Sequence, residues 1–229
     1  GNASTAFGID RSNTEGIYEV LINDLPMANV VQKVANFPHL EIISANSDLA
    51  GAEILLVPTV AREFRLQSAL NNFLTLKQNA GQRFDYVFID CPPSLGLLTI
   101  NALTAADEVL VPIQCEYYSL EGLSLLLETL GEVQKRLNPK IVLSTIVLTM
   151  FDSRTRLAGD VAENVRKHFP EQLINIPITR AARVSEAPSY GQTDMTYDAS
   201  STGAIAYMSV AREIANRGSA PINLRNETA

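Results

Sequence analysis

A nearly continuous apolar run, Phe84-Asp85-Tyr86-Val87-Phe88-Ile89, ends abruptly in Asp90-Cys91-Pro92-Pro93-Ser94. β-Branched and aromatic residues without regular polar alternation predict a strand covered on both faces, as in a parallel sheet. Pro92 and Pro93 cannot donate to a ladder, so the predicted strand stops at Asp90. In open α/β sheets ligands bind beyond the carboxyl ends of the strands, where a carboxylate suits a divalent cation or a phosphate-bound metal. A strand-end aspartate serves equally as a helix cap or turn residue, and this run by itself leaves both readings open.

The rest of the chain repeats an alternation of helix and strand. Residues 17–25 form a short helical pattern closed by Pro26, after Thr14-Glu15-Gly16, and residues 40–44 are the first strand. Ser47-Asp48 offers cap chemistry for a helix to about residue 56, and Thr59 opens a second helix to about residue 78, ended near Gly81. Behind the run at 84–90 come a helix over 97–106, a strand over 108–113 and a long helix from Ser119. Leu120, Leu123, Leu126, Leu127, Leu130 and Val133 recur on that helix at helical spacing. A buried strand over 141–149, a helix over 155–169, a short strand over 173–176 stopped by Pro177, and a helix over 202–216 complete the pattern. Such alternation predicts a mostly parallel sheet with right-handed crossovers in a three-layer α/β/α arrangement. Residues 1–217 read as one domain and residues 218–229 as a polar, mobile tail.

Composition narrows the possible chemistry. At 229 residues and 46% hydrophobic content, the chain can bury a substantial core. No apolar run is long enough to span a membrane, and no signal-peptide pattern opens the sequence. The two cysteines, Cys91 and Cys115, stand outside any metal-ligand or redox spacing and read as reduced thiols of a cytoplasmic protein. His39 and His168 are the only histidines, which gives little support to a multi-histidine metal site or a Ser/His/Asp triad. A formal net charge of −7 argues against a protein coated in positive potential, so any nucleic-acid contact must be local.

A parallel sheet with an aspartate at a strand tip is the layout of nucleotide hydrolases, in which that residue holds magnesium beside the phosphates. The phosphate cradle, G-x-x-x-x-G-K-S/T, does not occur in these residues, and spacing alone does not identify an ATPase. The motifs do, however, resemble those of the ParA/Soj family of partitioning ATPases, a deviant branch of the P-loop proteins that also includes MinD. The resemblance extends to about Arg217. It is carried by Gly1-Asn2-Ala3-Ser4-Thr5, similar to the end of the family's DxDPQGNAS element, and by Asp85-Tyr86-Val87-Phe88-Ile89-Asp90-Cys91-Pro92-Pro93-Ser94-Leu95-Gly96. Pro112-Ile113-Gln114-Cys115-Glu116-Tyr117-Tyr118, Leu148-Thr149-Met150-Phe151-Asp152, Ser185-Glu186-Ala187-Pro188-Ser189 and Tyr197-Asp198 follow in the family's order.

The resemblance implies specific roles. Asp90 is the Walker B carboxylate that organises Mg2+, and Pro93-Ser94-Leu95-Gly96 is the switch that senses the γ-phosphate of ATP. Thr149, Met150 and Pro188 match positions near the adenine. Gln114 and Glu116 fall near the site or a dimer interface. Tyr117 and Tyr118 read equally well as packing at a strand end. Arg180 and Arg183, in the stretch similar to the family's PRNVR, imply nonspecific contact with double-stranded DNA. A homodimer, a ParB-like partner that stimulates hydrolysis, and a cytoplasmic, nucleoid-associated location belong to the same picture, with no membrane contact.

The chain departs from the family pattern in two places. Ser200 and Thr202 stand where the family's YDPKSRG stretch carries basic residues, which predicts weaker DNA binding. The family's phosphate loop also maps ahead of Gly1, so residues 1–229 alone are expected to lack the N-terminal P-loop strand and helix, to expose an apolar edge beside residues 84–89, and to be inactive as an ATPase. A MinD-like or cargo-positioning ATPase and a noncatalytic interaction relic are the alternative readings. The MinD-like one calls for a basic amphipathic C-terminal helix, which residues 216–229 do not spell.

Overall fold

The structure, a computed structural model, describes residues 2–9, 15–35 and 37–218, with the side chains of Asn2 and Arg183 excepted. Thr14 and the tail over 219–229 lie outside the described residues. The chain divides into two compact units: the first takes in residues 1–109, 124–142 and 188–192, and the second residues 110–123, 143–187 and 193–229.

The first unit opens with α1 (Asn2–Ala6), α2 (Ile17–Ile22) and α3 (Met27–Val30). Gly16 begins α2, and its N–H donates to Glu19 Oε2 at 2.6 Å, which closes the first turn. A hairpin not expected from the sequence follows: β1 (Val31–Val34) pairs antiparallel with β2 (Phe37–Ile43), Val31 opposite Ile43. α4 (Leu49–Leu56) buries Ala52 and Leu56 completely. The single helix expected from Thr59 is broken instead. Ala61 adopts a left-handed φ of 52°, a 3-10 turn spans Arg62–Phe64, and α5 (Arg65–Asn79) begins only then. α6 (Leu97–Ala105) crosses behind, and the first unit's core gathers Val20, Leu21, Met27, Val30, Leu66, Phe73 and Ala102.

The expected buried strand over residues 84–90 is not formed. This segment has no ladder partner among the described residues, and hydrogen bonds to a neighbour are what define a strand. Phe84 and Ile89 pack on the core of the first unit, and Phe84 stacks on Phe73 with ring centroids 6.0 Å apart. Tyr86, Val87 and Phe88 face solvent, Phe88 at 75% exposure, with the Tyr86 and Phe88 rings stacked on each other at 6.1 Å. The segment is apolar, as expected, but burial on both faces needs covering elements, and the described residues cover only Phe84 and Ile89.

β3 (Glu108–Gln114), β4 (Val142–Thr149) and β5 (Leu173–Ile174) form one sheet in that order. β4 and β5 are parallel, Ile146 opposite Leu173. The Val142 N–H donates to Asp107 O and the Cys115 N–H to Thr149 O, both at 3.2 Å, so β3 and β4 also advance in the same direction. The α/β class with a parallel sheet stands. α7 (Ser119–Arg136) follows β3 and buries Leu123, Leu130 and Val133.

In the second unit, α8 (Arg156–His168) is capped by Thr155, whose Oγ1 accepts the Ala158 N–H at 3.4 Å. Arg166, Lys167 and His168 lie at its negative end, and Ala158, Val161, Ala162 and Val165 form its buried face. After β5 come α9 (Ala182–Glu186), a 3-10 turn over Ala187–Tyr190, α10 (Asp194–Tyr197) and α11 (Thr202–Gly218). Gly218, expected to open the tail, is therefore the last residue of a helix. Val147, Ile174, Ile178 and Val210 form the core of this unit. Arg217 fastens the end of α11, donating from Nη1 to Glu171 O at 3.1 Å and Gln172 O at 3.2 Å, and from Nη2 to Leu173 O at 3.2 Å.

Candidate functional site

In the first unit, the segment from Asp90 to Gly96 is a loop that feeds directly into α6. Asp90 is exposed. The Cys91 thiol is pushed up, first by desolvation and then by the neighbouring Asp90 carboxylate, so it stays protonated near neutral pH. That disfavours a thiolate nucleophile here. Ser94 is exposed, and its carbonyl accepts the Thr99 hydroxyl at 2.6 Å, which ties the loop to the first turn of α6. Gly96 is the N-cap, with φ −83° and ψ −169°, an extended conformation open to any residue. Its side-chain space is nevertheless closed, because a Cβ there would come within 2.1 Å of Glu53 Oε1. The same oxygen accepts the Leu98 N–H at 3.3 Å.

In the second unit, β4 ends at Thr149, and Met150 takes a left-handed φ of 51°. A methionine rarely adopts this conformation, and such strain is concentrated at functional positions. The turn is held by backbone pairing: the Ile178 N–H donates to Leu148 O at 2.8 Å, and the Phe151 N–H to Ile178 O at 3.1 Å. Thr149 and Met150 line a small pocket with Ile178, Thr179, Ala181, Val184 and Tyr207. The Tyr207 hydroxyl is pushed up by burial and then by the charge of Asp194, so it remains a neutral donor. Gly203 admits the close approach of α9 to α11, since a Cβ there would meet Val184 Cγ2 at 2.4 Å.

Arg180 is exposed just before α9, its N–H donating to Phe151 O at 3.3 Å, and Arg183 lies within α9 with its side chain outside the described part. Asp152 next to that turn is gripped by Arg154, whose Nε and Nη2 reach Oδ1 at 2.9 Å and Oδ2 at 2.7 Å. The Arg154 hydrogen bonds hold the Asp152 carboxyl down at about 2. Pro188 is exposed in the 3-10 turn and belongs to the first unit. Tyr117 and Tyr118 are 66% and 76% exposed and meet edge to face at 5.3 Å, so strand-end packing does not describe them.

Asp90, Ser94 and Gly96 thus lie on one loop of the first unit, and Thr149, Met150 and Arg180 around one turn of the second. No cluster of three or more His, Cys, Asp or Glu capable of holding a metal occurs among the described residues. One exposed carboxylate fits magnesium of the kind held chiefly by water and substrate phosphates, and does not fit an ion caged by the protein alone. No sequence signal marks Glu53 or Thr99, and Tyr207 ends the motif Gly203-Ala204-Ile205-Ala206-Tyr207 without a role of its own. Glu53 lies 43 residues before Gly96, on a different helix, and nothing in its local context marks it.

The fold is that of the P-loop ATPases. The chain superposes with a TM-score of 0.75 on cobyrinic acid a,c-diamide synthase from Mycobacterium smegmatis, solved with a bound ATP analogue and magnesium, at 33% identity over 93% of this chain and 77% of that one. A plasmid partition protein from Borrelia burgdorferi B31 shares the fold at a TM-score of 0.73 and 18% identity, covering 94% of this chain and 82% of that one. In sequence, the AAA domain family matches residues 1–143. The sporulation initiation inhibitor protein Soj of Bacillus subtilis is 47% identical over 219 residues, 95% of this chain and 83% of Soj. The chromosome partitioning protein ParA of Myxococcus xanthus is 45% identical over 218 residues, 95% of this chain and 74% of that protein. The chain belongs to the ParA/Soj family of chromosome-partitioning ATPases.

Proposed function

We propose that this chain serves a ParA-type ATPase that partitions DNA, working as a nucleotide-dependent homodimer in the cytoplasm, on the nucleoid, with a ParB-like partner that stimulates hydrolysis. The observation that carries this reading is the exposed Asp90 carboxylate on a loop pinned to the start of α6, in a chain 47% identical to Soj. When bound, Mg-ATP supplies the phosphoanhydride whose cleavage resets the dimer. Asp90 would help to hold Mg2+, and the backbone over residues 94–96 would sense the terminal phosphate. By their motifs, Thr149 and Met150 are candidate adenine contacts, and so, separately, is Pro188. Arg180 and Arg183 contact DNA phosphates, giving salt-dependent affinity without sequence preference.

Residues 1–229 contain no G-x-x-x-x-G-K-S/T loop, and by themselves these residues do not turn ATP over on this proposal. Calorimetry on the 229-residue chain with Mg-ATP is expected to show no micromolar binding. ATP turnover by these residues joined to a phosphate loop, measured with DNA and partner, is expected to fall at least about tenfold in Asp90→Ala, the scale of losing one transition-state electrostatic contact. Unchanged turnover would remove Asp90 from the magnesium site.

A further inference from the structure

Gly96 has backbone angles that alanine adopts freely, so its lack of a side chain is not explained by conformation. Space explains it. The volume a Cβ would fill is taken by the Glu53 carboxylate, with Oε1 at 2.1 Å, Cδ at 2.7 Å and Oε2 at 2.8 Å. That carboxylate is delivered by α4, which is anchored on either side of it by the fully buried Ala52 and Leu56. Glu53 Oε1 in turn accepts the Leu98 N–H at 3.3 Å. α6 has neither a side-chain cap of its own nor an acidic residue in its first turn. A carboxylate 43 residues earlier therefore performs the N-terminal capping that helices normally obtain locally.

We infer that Glu53 is the positioning residue for the loop over residues 94–96: its carboxylate seats in the side-chain space left open by Gly96 and caps the Leu98 amide, and Gly96 is glycine in order to admit it. Its functional meaning, that Glu53 sets the geometry of the phosphate-sensing segment, rests on the reading proposed above. The contact itself does not. Thr99 holds the same loop from the other side through the Ser94 carbonyl, so the turn is fixed at two points before any ligand arrives.

The clashing atoms at Gly96 are the far end of a flexible side chain, so Gly96→Ala is expected to evict the Glu53 carboxylate rather than to distort the backbone. Gly96→Ala and Glu53→Ala should then have the same effect, and the double variant should add nothing further. The test is amide hydrogen exchange at Leu98 in the 229-residue chain without nucleotide, read beside its thermal midpoint. Exchange should rise about fivefold in Gly96→Ala, in Glu53→Ala and in the pair, the size of one lost cap. Glu53→Gln, which keeps an acceptor of the same reach, should restore protection to within about twofold. Additive effects in the double variant, or unchanged exchange in Glu53→Ala, would overturn the inference. So would a failure of Glu53→Gln to restore protection. A failure of Mg-ATP chemistry in these residues joined to a phosphate loop would count against the proposed function and leave these measurements to decide this one.

Discussion

Asn101 Oδ1 accepts the Leu66 N–H at 3.2 Å while its Nδ2 donates to Arg62 O at 2.8 Å and to Leu97 O at 2.9 Å. One fully buried amide on α6 thereby joins the start of its own helix to the backbone break that precedes α5. Asn101→Leu keeps the volume but leaves the buried Leu66 N–H and the half-buried Arg62 carbonyl without this partner, and removes a second donor from the Leu97 carbonyl. It is expected to destabilise the chain by about 3 kcal/mol, seen as a lower urea midpoint with an unchanged slope. A loss below about 1 kcal/mol would mean that water replaces the amide.

The Asp152 and Arg154 pair predicts a defined acid response. The folded-state carboxyl is lowered from 3.8 to about 2, so its contribution is complete above 3.8 and disappears as pH falls toward 2. Asp152→Asn removes the group that titrates. The stability gap between the parent chain and this variant should be constant at neutral pH and close between about pH 4 and pH 2, followed by urea midpoints. Because Arg154 is 87% exposed, the gap at neutral pH should shrink in high salt.

DNA affinity provides a third measurement. Arg180→Glu and Arg183→Glu should each weaken binding to unrelated duplexes by a similar factor and lower the salt slope by roughly one. Equal affinity at low salt would remove this patch from the DNA surface. Lys replacements at Ser200 and Thr202 should raise affinity if those positions face the same phosphates.

The uncovered segment carries a fourth. Phe88 is 75% exposed beside exposed Tyr86 and Val87, an unpaired extended apolar stretch of the kind that seeds association. Phe88→Lys should reduce light scattering during heating at high protein concentration without lowering the thermal midpoint. A drop in the midpoint would show that Phe88 is covered in solution.

The sequence located α4, α6, α7, α8 and α11 to within a few residues; α7, α8 and α11 carry a one-sided apolar face whose spacing is set by helix geometry, whereas α4 and α6 are apolar on most sides and α4 is marked by the Ser47-Asp48 cap at its start. Apolar runs located β3, β4 and β5 for a similar reason. The strand expected over residues 40–44 is the second half of β2, whereas β1 escaped, because antiparallel pairing, with Val31 opposite Ile43, is what organises residues 31–34. The break at Ala61 escaped as well, because Asn101, forty residues on, stabilises it. Ordered motifs marked Asp90, Ser94, Gly96, Thr149 and Met150 as candidates. They carried no sign of Glu53, whose place is set by a helix packing from a distant part of the chain, and included Tyr207 only as the end of a motif with no role attached.

The apolar run ending at Asp90 shows where the two kinds of information divide. Residue order alone sets the chemistry there, with a carboxylate after an apolar segment, prolines that end any ladder, and a glycine before a helix. It also determined the family, since motif order survives in any arrangement of the chain. Only the tertiary structure decided that the run is a half-covered extended segment instead of a strand, and that Gly96 is glycine because Glu53 occupies its side-chain space. Strand pairing and close packing both depend on partners remote in sequence, and no local pattern carries their positions.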